Sequence, residues 1–126
     1  MKMKKEDLPI TMQAPNTIMR SLPDCGGLTI GYNELPEGTD FTPLLQGLSN
    51  NSCHSPHWGY ILEGKILIIY DNGKDELVSA GELYYWPAGH TAIVKENLKI
   101  IEFSPTKELT EVLAHVGKKM AELGGD

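Results

Sequence analysis

Apolar residues along the chain come in short runs closed by Gly, Pro, Asn or Asp, a texture that predicts an all-β fold rather than a helical bundle. Residues 27–32 read as a strand and residues 34–39 as turn chemistry. Residues 40–48 predict an edge-like strand, because Pro43 has no N–H for a central ladder, and residues 49–52 a loop. Residues 57–70 are rich in β-branched and aromatic side chains, broken at Glu63-Gly64. They predict two strands, or one strand bent at the glycine. Asn72-Gly73 predicts a type I′ hairpin, since both residues tolerate positive φ, so residues 74–79 should pair back. Residues 82–86, 91–95 and 98–103 are three further strand-length runs.

The period changes at the C-terminal end. Leu109, Val112, Leu113, Val116, Met120 and Leu123 recur at helical spacing, which predicts one amphipathic helix over about residues 105–123, stopped by Gly124-Gly125. His115 on that helix reads as a partly solvated histidine. The first twenty residues carry little periodic signal and predict an arm or an extra strand.

Length and charge narrow the classes. At 126 residues the chain is the size of one domain, 1–126, with a single core. A net charge of −6 gives no electrostatic reason to expect nucleic acid or anionic membrane as a partner. The basic start is followed by no apolar signal stretch, and the run Ile66-Leu-Ile-Ile-Tyr70 is too short to span a bilayer, so a cytoplasmic location is expected. Cys25 and Cys53 are too few for a disulfide framework and are expected as thiols.

Candidate chemistry concentrates in Cys53-His-Ser-Pro-His57. Side chains on a strand alternate faces, so Cys53, Ser55, His57, Gly59 and Ile61 form one set, and His54, Trp58, Tyr60 and Leu62 the other.

Two segments together resemble the cupin superfamily, small double-stranded β-helix barrels of the jelly-roll type. Its first motif has the form G-x5-H-x-H-x3,4-E-x6-G and its second G-x5-P-x-G-x2-H-x3-N. Gly81-Glu-Leu-Tyr-Tyr-Trp-Pro-Ala-Gly89 matches the second motif through P-x-G, and Ile61-Leu-Glu-Gly64 matches the end of the first. The pairing of Cys53-His-Ser-Pro-His-Trp-Gly-Tyr60 with Tyr85-Trp-Pro-Ala-Gly-His-Thr91 is similar to a subgroup of small bacterial cupins. The resemblance covers about residues 27–104 and implies a jelly-roll barrel there, an N-terminal arm over 1–26 and a C-terminal helix. It also implies a homodimer, since an open barrel leaves strand edges to cover.

The ligand positions of the motifs are only partly filled. Counting back from Gly64 places His57 at the glutamate position, Cys53 at the second histidine and Asn51 at the first, while the last histidine position is Ala92. His90 follows Gly89 directly and shares parity with Ala92. If His57 faces the interior, Cys53 faces it too and His54 does not, unless Pro56 resets the register. Gly59 would leave a gap on that face or mark a bend.

Cys53, His57 and His90 would supply one thiolate and two imidazoles, which suits zinc, iron, nickel or copper and leaves coordination positions open. His54 is the substitute ligand. Taken singly, each has an ordinary reading: a small buried thiol, a core histidine, a turn residue. Tyr60 and Tyr84 are candidates for proton transfer, with core packing as the plainer alternative; Glu63 and Glu82 read as rim residues. Two functions stay open. One is a barrel that binds a small molecule, directly or through a divalent transition metal. The other is a metal-dependent oxygenase, isomerase or lyase acting on a small organic substrate.

Overall fold

The computed structural model describes residues 1–123. Seven strands form one antiparallel system: β1 (Ile10–Ala14), β2 (Thr17–Cys25), β3 (Leu28–Leu35), β4 (His57–Tyr70), β5 (Asp75–Ser79), β6 (Leu83–Trp86) and β7 (His90–Pro105). Their order is β1-β2-β3-β7-β4-β5, with β6 also paired to β4. Because β4 and β7 are long, each serves two layers. The first part of β4 pairs with β6 and the end of β7, and its second part pairs with β5 and the start of β7.

The bend between the layers has a local cause. The β4–β7 register slips repeatedly between Ile61 and Ile66. Gly64 sits at φ +89°, where a Cβ would collide with the carbonyls of Glu96 and Asn97. Only glycine meets both conditions. The bulge also switches parity: His57 and Ile61 point inward before it, Ile66 and Ile68 after it. On β7 the inward parity does not switch: the even positions His90, Val94, Ile100 and Ser104 are buried on both sides of the exposed Glu96. One core joins Ile61, Ile66, Ile68, Val78, Val94 and Ile100 from both layers.

Three expectations are corrected. Residues 40–48 are not a strand: they make isolated bridges, Asp40 to Ile93 and Gln46 to Leu48, and between these lies helix α1 (Thr42–Leu45). Pro43 lies in its first turn, where a missing N–H costs nothing, and the Asp40 carboxylate accepts from the Thr42 N–H at 2.9 Å. The hairpin is not type I′, because only Gly73 has positive φ, at +86°. Gly73 N–H donates to the Tyr70 carbonyl and Asn72 Oδ1 accepts from the Lys74 N–H, giving a longer loop with glycine at its left-handed position. Residues 91–95 and 98–103 are one continuous strand, β7, because Glu96-Asn97 lies opposite the β4 bulge and bends without breaking the ladder. Of the arm or extra strand expected for the first twenty residues, strand is what forms, and β1 and β2 carry the sheet back to Ile10. β1 and β2 turn at Asn16, whose φ is +56°.

Helix α2 (Thr106–Leu123) follows β7 directly, and the expected Gly124-Gly125 stop lies outside the described residues. Val112 of α2 packs with Leu45 and Cys53, bordered by Phe41, Leu48 and Val116. His115 is tied down rather than free, its Nε2–H donating to the Gln46 carbonyl at 2.7 Å. Helix α2 and residues 41–53 thus lie over the barrel end that holds Cys53. Among the described residues no helix is long and apolar enough to cross a membrane.

Candidate metal centre

Cys53, His57 and His90 arrive from three places in the chain. Cys53 ends the segment leading into β4, and its N–H donates to the His90 carbonyl at 2.7 Å while its own carbonyl accepts from the Gly89 N–H at 2.8 Å. That two-way bridge fixes Cys53 beside the first residue of β7. His57 opens β4 with the inward parity it shares with Cys53. All three side chains are buried, and one ligand atom from each lies within 4.8 Å of the other two. Cys53 Sγ is 3.4 Å from His57 Nε2. A sulfur and a nitrogen bound tetrahedrally to one zinc would stand about 3.5 Å apart, so the spacing fits a shared ion.

The second nitrogen of each imidazole is engaged elsewhere. His90 Nδ1 is 2.9 Å from the Pro87 carbonyl, which can only accept, so Nδ1 carries the proton and Nε2 keeps its lone pair. His57 Nδ1 is 2.6 Å from Ser104 Oγ and 3.6 Å from Glu102 Oε2.

Burial decides the protonation states. It lowers the His57 pKa to about 4. It lowers that of His90 as well, helped by the neighbouring His57. Both rings are therefore neutral near pH 7, the form that ligates. Burial pushes the Cys53 thiol up to about 12, so a bound cation must displace its proton.

Around this cluster lie groups of a second kind. Tyr84 stacks on Trp86 with ring centroids 3.8 Å apart, and its hydroxyl donates to Glu102 Oε1 at 3.1 Å and reaches the Ile101 carbonyl at 3.2 Å. Burial, then the adjacent Glu102, raise the Tyr84 pKa. Burial raises that of Glu102 to about 7. Trp86 Nε1 is buried and finds no acceptor among the described residues, an arrangement that a water or a ligand oxygen would satisfy.

Two sequence expectations are corrected here. Tyr60 is half-buried on the outer face, in the set led by Trp58, which stacks on Tyr85 outside the barrel; only Tyr84 of the two tyrosines reaches the cluster. Gly59 does not leave a vacancy. Its partner across the ladder is Tyr84, and a Cβ at 59 would strike the Tyr84 hydroxyl and the Ile101 carbonyl. Gly59→Ala is therefore expected to cost about 1–3 kcal/mol by overpacking. Urea denaturation reads this, and an unchanged midpoint would show that the Ile101 backbone shifts as well as the Tyr84 side chain.

His54 lies outside the cluster, its Nε2 3.2 Å from Glu111 Oε2 on α2. Asn51 is exposed, its Oδ1 accepting from the Gly47 N–H, and Ala92 offers no donor atom. Glu102 is the residue sequence reasoning missed. Its signal was an acid sharing parity with Leu98, Ile100 and Ser104 on β7.

The chain matches no protein-family model and no curated protein. Solved structures do match. The polyketide cyclase RemF of Streptomyces resistomycificus aligns with a TM-score of 0.56 and 19% identity, over 84% of this chain and 79% of its own. An RmlC-like cupin from Shewanella frigidimarina aligns with a TM-score of 0.53 and 17% identity, over 79% of this chain and 86% of that one. The oxalate decarboxylase of Bacillus subtilis, a protein with Mn(II) centres, aligns with a TM-score of 0.57 and 15% identity, over 82% of this chain. This chain covers only 29% of the decarboxylase.

Proposed function

We propose that this chain, which has the fold of a cupin barrel, binds a divalent transition metal on Cys53, His57 and His90 and receives a small molecule at the metal's remaining positions. The observation that carries the reading is the convergence of three buried, soft or borderline donors within 4.8 Å, with the Nε2 lone pair of His90 left to the site by its Nδ1 bond. A thiolate with two imidazoles favours zinc, iron, nickel or copper over magnesium or calcium. Bound there, such a metal supplies Lewis-acid polarisation of a ligand oxygen. Trp86 Nε1 is the donor available to a ligand acceptor atom.

A second reading, a metal-dependent enzyme acting on a small organic substrate, is favoured by the partly buried pair Tyr84–Glu102 beside the cluster. The cyclase and the decarboxylase among the fold neighbours add weight to it as analogies of fold.

Elemental analysis of protein purified without a metal-affinity tag tests the first reading. A transition metal at a substantial fraction of one per chain is expected. No metal, even after incubation with zinc, iron, nickel and copper salts, sinks it. Cys53→Ala should weaken retention far more than His54→Ala, because His54 points to Glu111 and away from the cluster. The opposite ranking would mean that residues 53–56 rearrange when metal binds.

A further inference from the structure

Glu102 is a largely buried acid without a matching cation. Its side chain is 18% exposed, and among the described residues the one basic side chain within ion-pair distance is the His57 ring, neutral near pH 7, with Oε2 3.6 Å from Nδ1. No lysine or arginine among them pairs with it. An acid in such a place is costly, and an apolar or amide side chain of similar size would pack there more cheaply. Its position is nonetheless well defined. Glu102 faces Gly59 across the β4–β7 ladder, and the absence of a side chain at 59 lets the Tyr84 hydroxyl reach Oε1. One carboxylate oxygen is thus anchored, and the other is turned toward His57.

The tautomer of His57 is the property this arrangement controls. Nε2 faces Cys53 Sγ, so metal binding needs the lone pair on Nε2 and the proton on Nδ1. For His90 a backbone carbonyl enforces that choice. For His57 the nearest partner is the Ser104 hydroxyl at 2.6 Å, which donates or accepts equally well and so selects nothing by itself. A carboxylate placed just beyond that contact breaks the tie, since negative charge favours the N–H on the near side of the ring.

We propose that Glu102 is the positioning residue that holds His57 as the Nδ1–H tautomer, leaving Nε2 free toward Cys53 and His90. The proposal rests on the metal reading above. Outer partners of this kind set ring orientation and ligand basicity, and losing one weakens metal binding by about 10- to 100-fold.

Two measurements test it separately. In metal-free protein at pH 8, long-range ¹H–¹⁵N spectra read the His57 tautomer directly, with Nδ1–H expected in the wild type and a shift toward Nε2–H in Glu102→Gln. Zinc affinity, read by competition with a chromophoric chelator, should fall about 10- to 100-fold in Glu102→Gln. Tyr84→Phe, which loosens the carboxylate without removing it, should move both readouts less and in the same direction. An Nε2–H tautomer in the wild type overturns the proposal whether or not metal binds. Wild-type affinity in a folded Glu102→Gln overturns it as well. Absence of zinc binding by the wild type would instead remove the metal reading and leave the tautomer result to decide the role of Glu102.

Discussion

His57→Ala is expected to abolish metal retention, lowering affinity on the order of a thousandfold, or about 4 kcal/mol, because one of three protein donors disappears. The neighbours cannot replace it. Glu102 lies on the Nδ1 side of the ring, His54 is engaged with Glu111, and Ala92 carries no donor atom. The variant should still fold at neutral pH. His57 contributes a hydrogen bond to Ser104 and edge contacts with the rings of Trp86 and His90, at centroid distances of 6.3 and 5.2 Å, while the apolar core lies deeper, on Ile61, Ile66 and Ile68. Chelator competition on protein with an intact circular dichroism spectrum separates loss of a ligand from loss of the fold. A folded His57→Ala protein that keeps stoichiometric metal would remove His57 from the ligand set and with it the centre as drawn.

That centre was partly legible because strand alternation is a strict rule where backbone pairing is regular. Cys53 and His57 share a face by parity alone, and Pro56 does not reset it, since Cys53, Ser55 and His57 are all buried. His90 could be matched to them because Gly89-His90 opens a strand of known parity. Alternation stopped being informative at Gly64, where successive register slips exchange the inner and outer faces. The tyrosines show the opposite limit. Tyr60 and Tyr84 look alike in sequence, and only the pairing of Gly59 with Tyr84 shows which one enters the barrel. Residues 40–48 failed as a strand because proline has two meanings, edge of a sheet or first turn of a helix. The choice is made by tertiary packing of Leu45 against Val112, which local sequence does not display. Glu102 was passed over because an acid between apolar residues reads as a solvent-facing position unless its parity is checked.

Metal-free Glu102→Gln is expected to lie within about 0.5 kcal/mol of the wild type in stability at pH 4.5 and to exceed it by about 2–3 kcal/mol at pH 8. The sign follows from the two carboxyl pKa values, 4.5 in the unfolded chain and about 7 in the folded one. Below 4.5 both states are protonated and the acid costs nothing. As pH rises through that window the unfolded chain releases its proton first, so stability falls until the folded group ionises too. Solvent at one edge of the side chain keeps the effect toward the lower end of the range. His57 acts in the opposite sense: with pKa values of 6.5 unfolded and about 4 folded, its contribution is lost as pH falls. Between pH 4.5 and 6.5 the two slopes oppose each other, so the wild type should show a shallow profile there. Glu102→Gln should expose the steeper rise with pH due to His57, reinforced by His90, whose pKa burial also lowers. Urea denaturation in the presence of a chelator at pH 4.5, 6 and 8 reads the whole profile. A Glu102→Gln protein less stable than wild type at pH 8 would mean that Tyr84 and His57 repay the buried charge in full. The expected outcome is the reverse, a variant more stable and poorer at holding metal, because the same carboxylate that strains the fold orients His57.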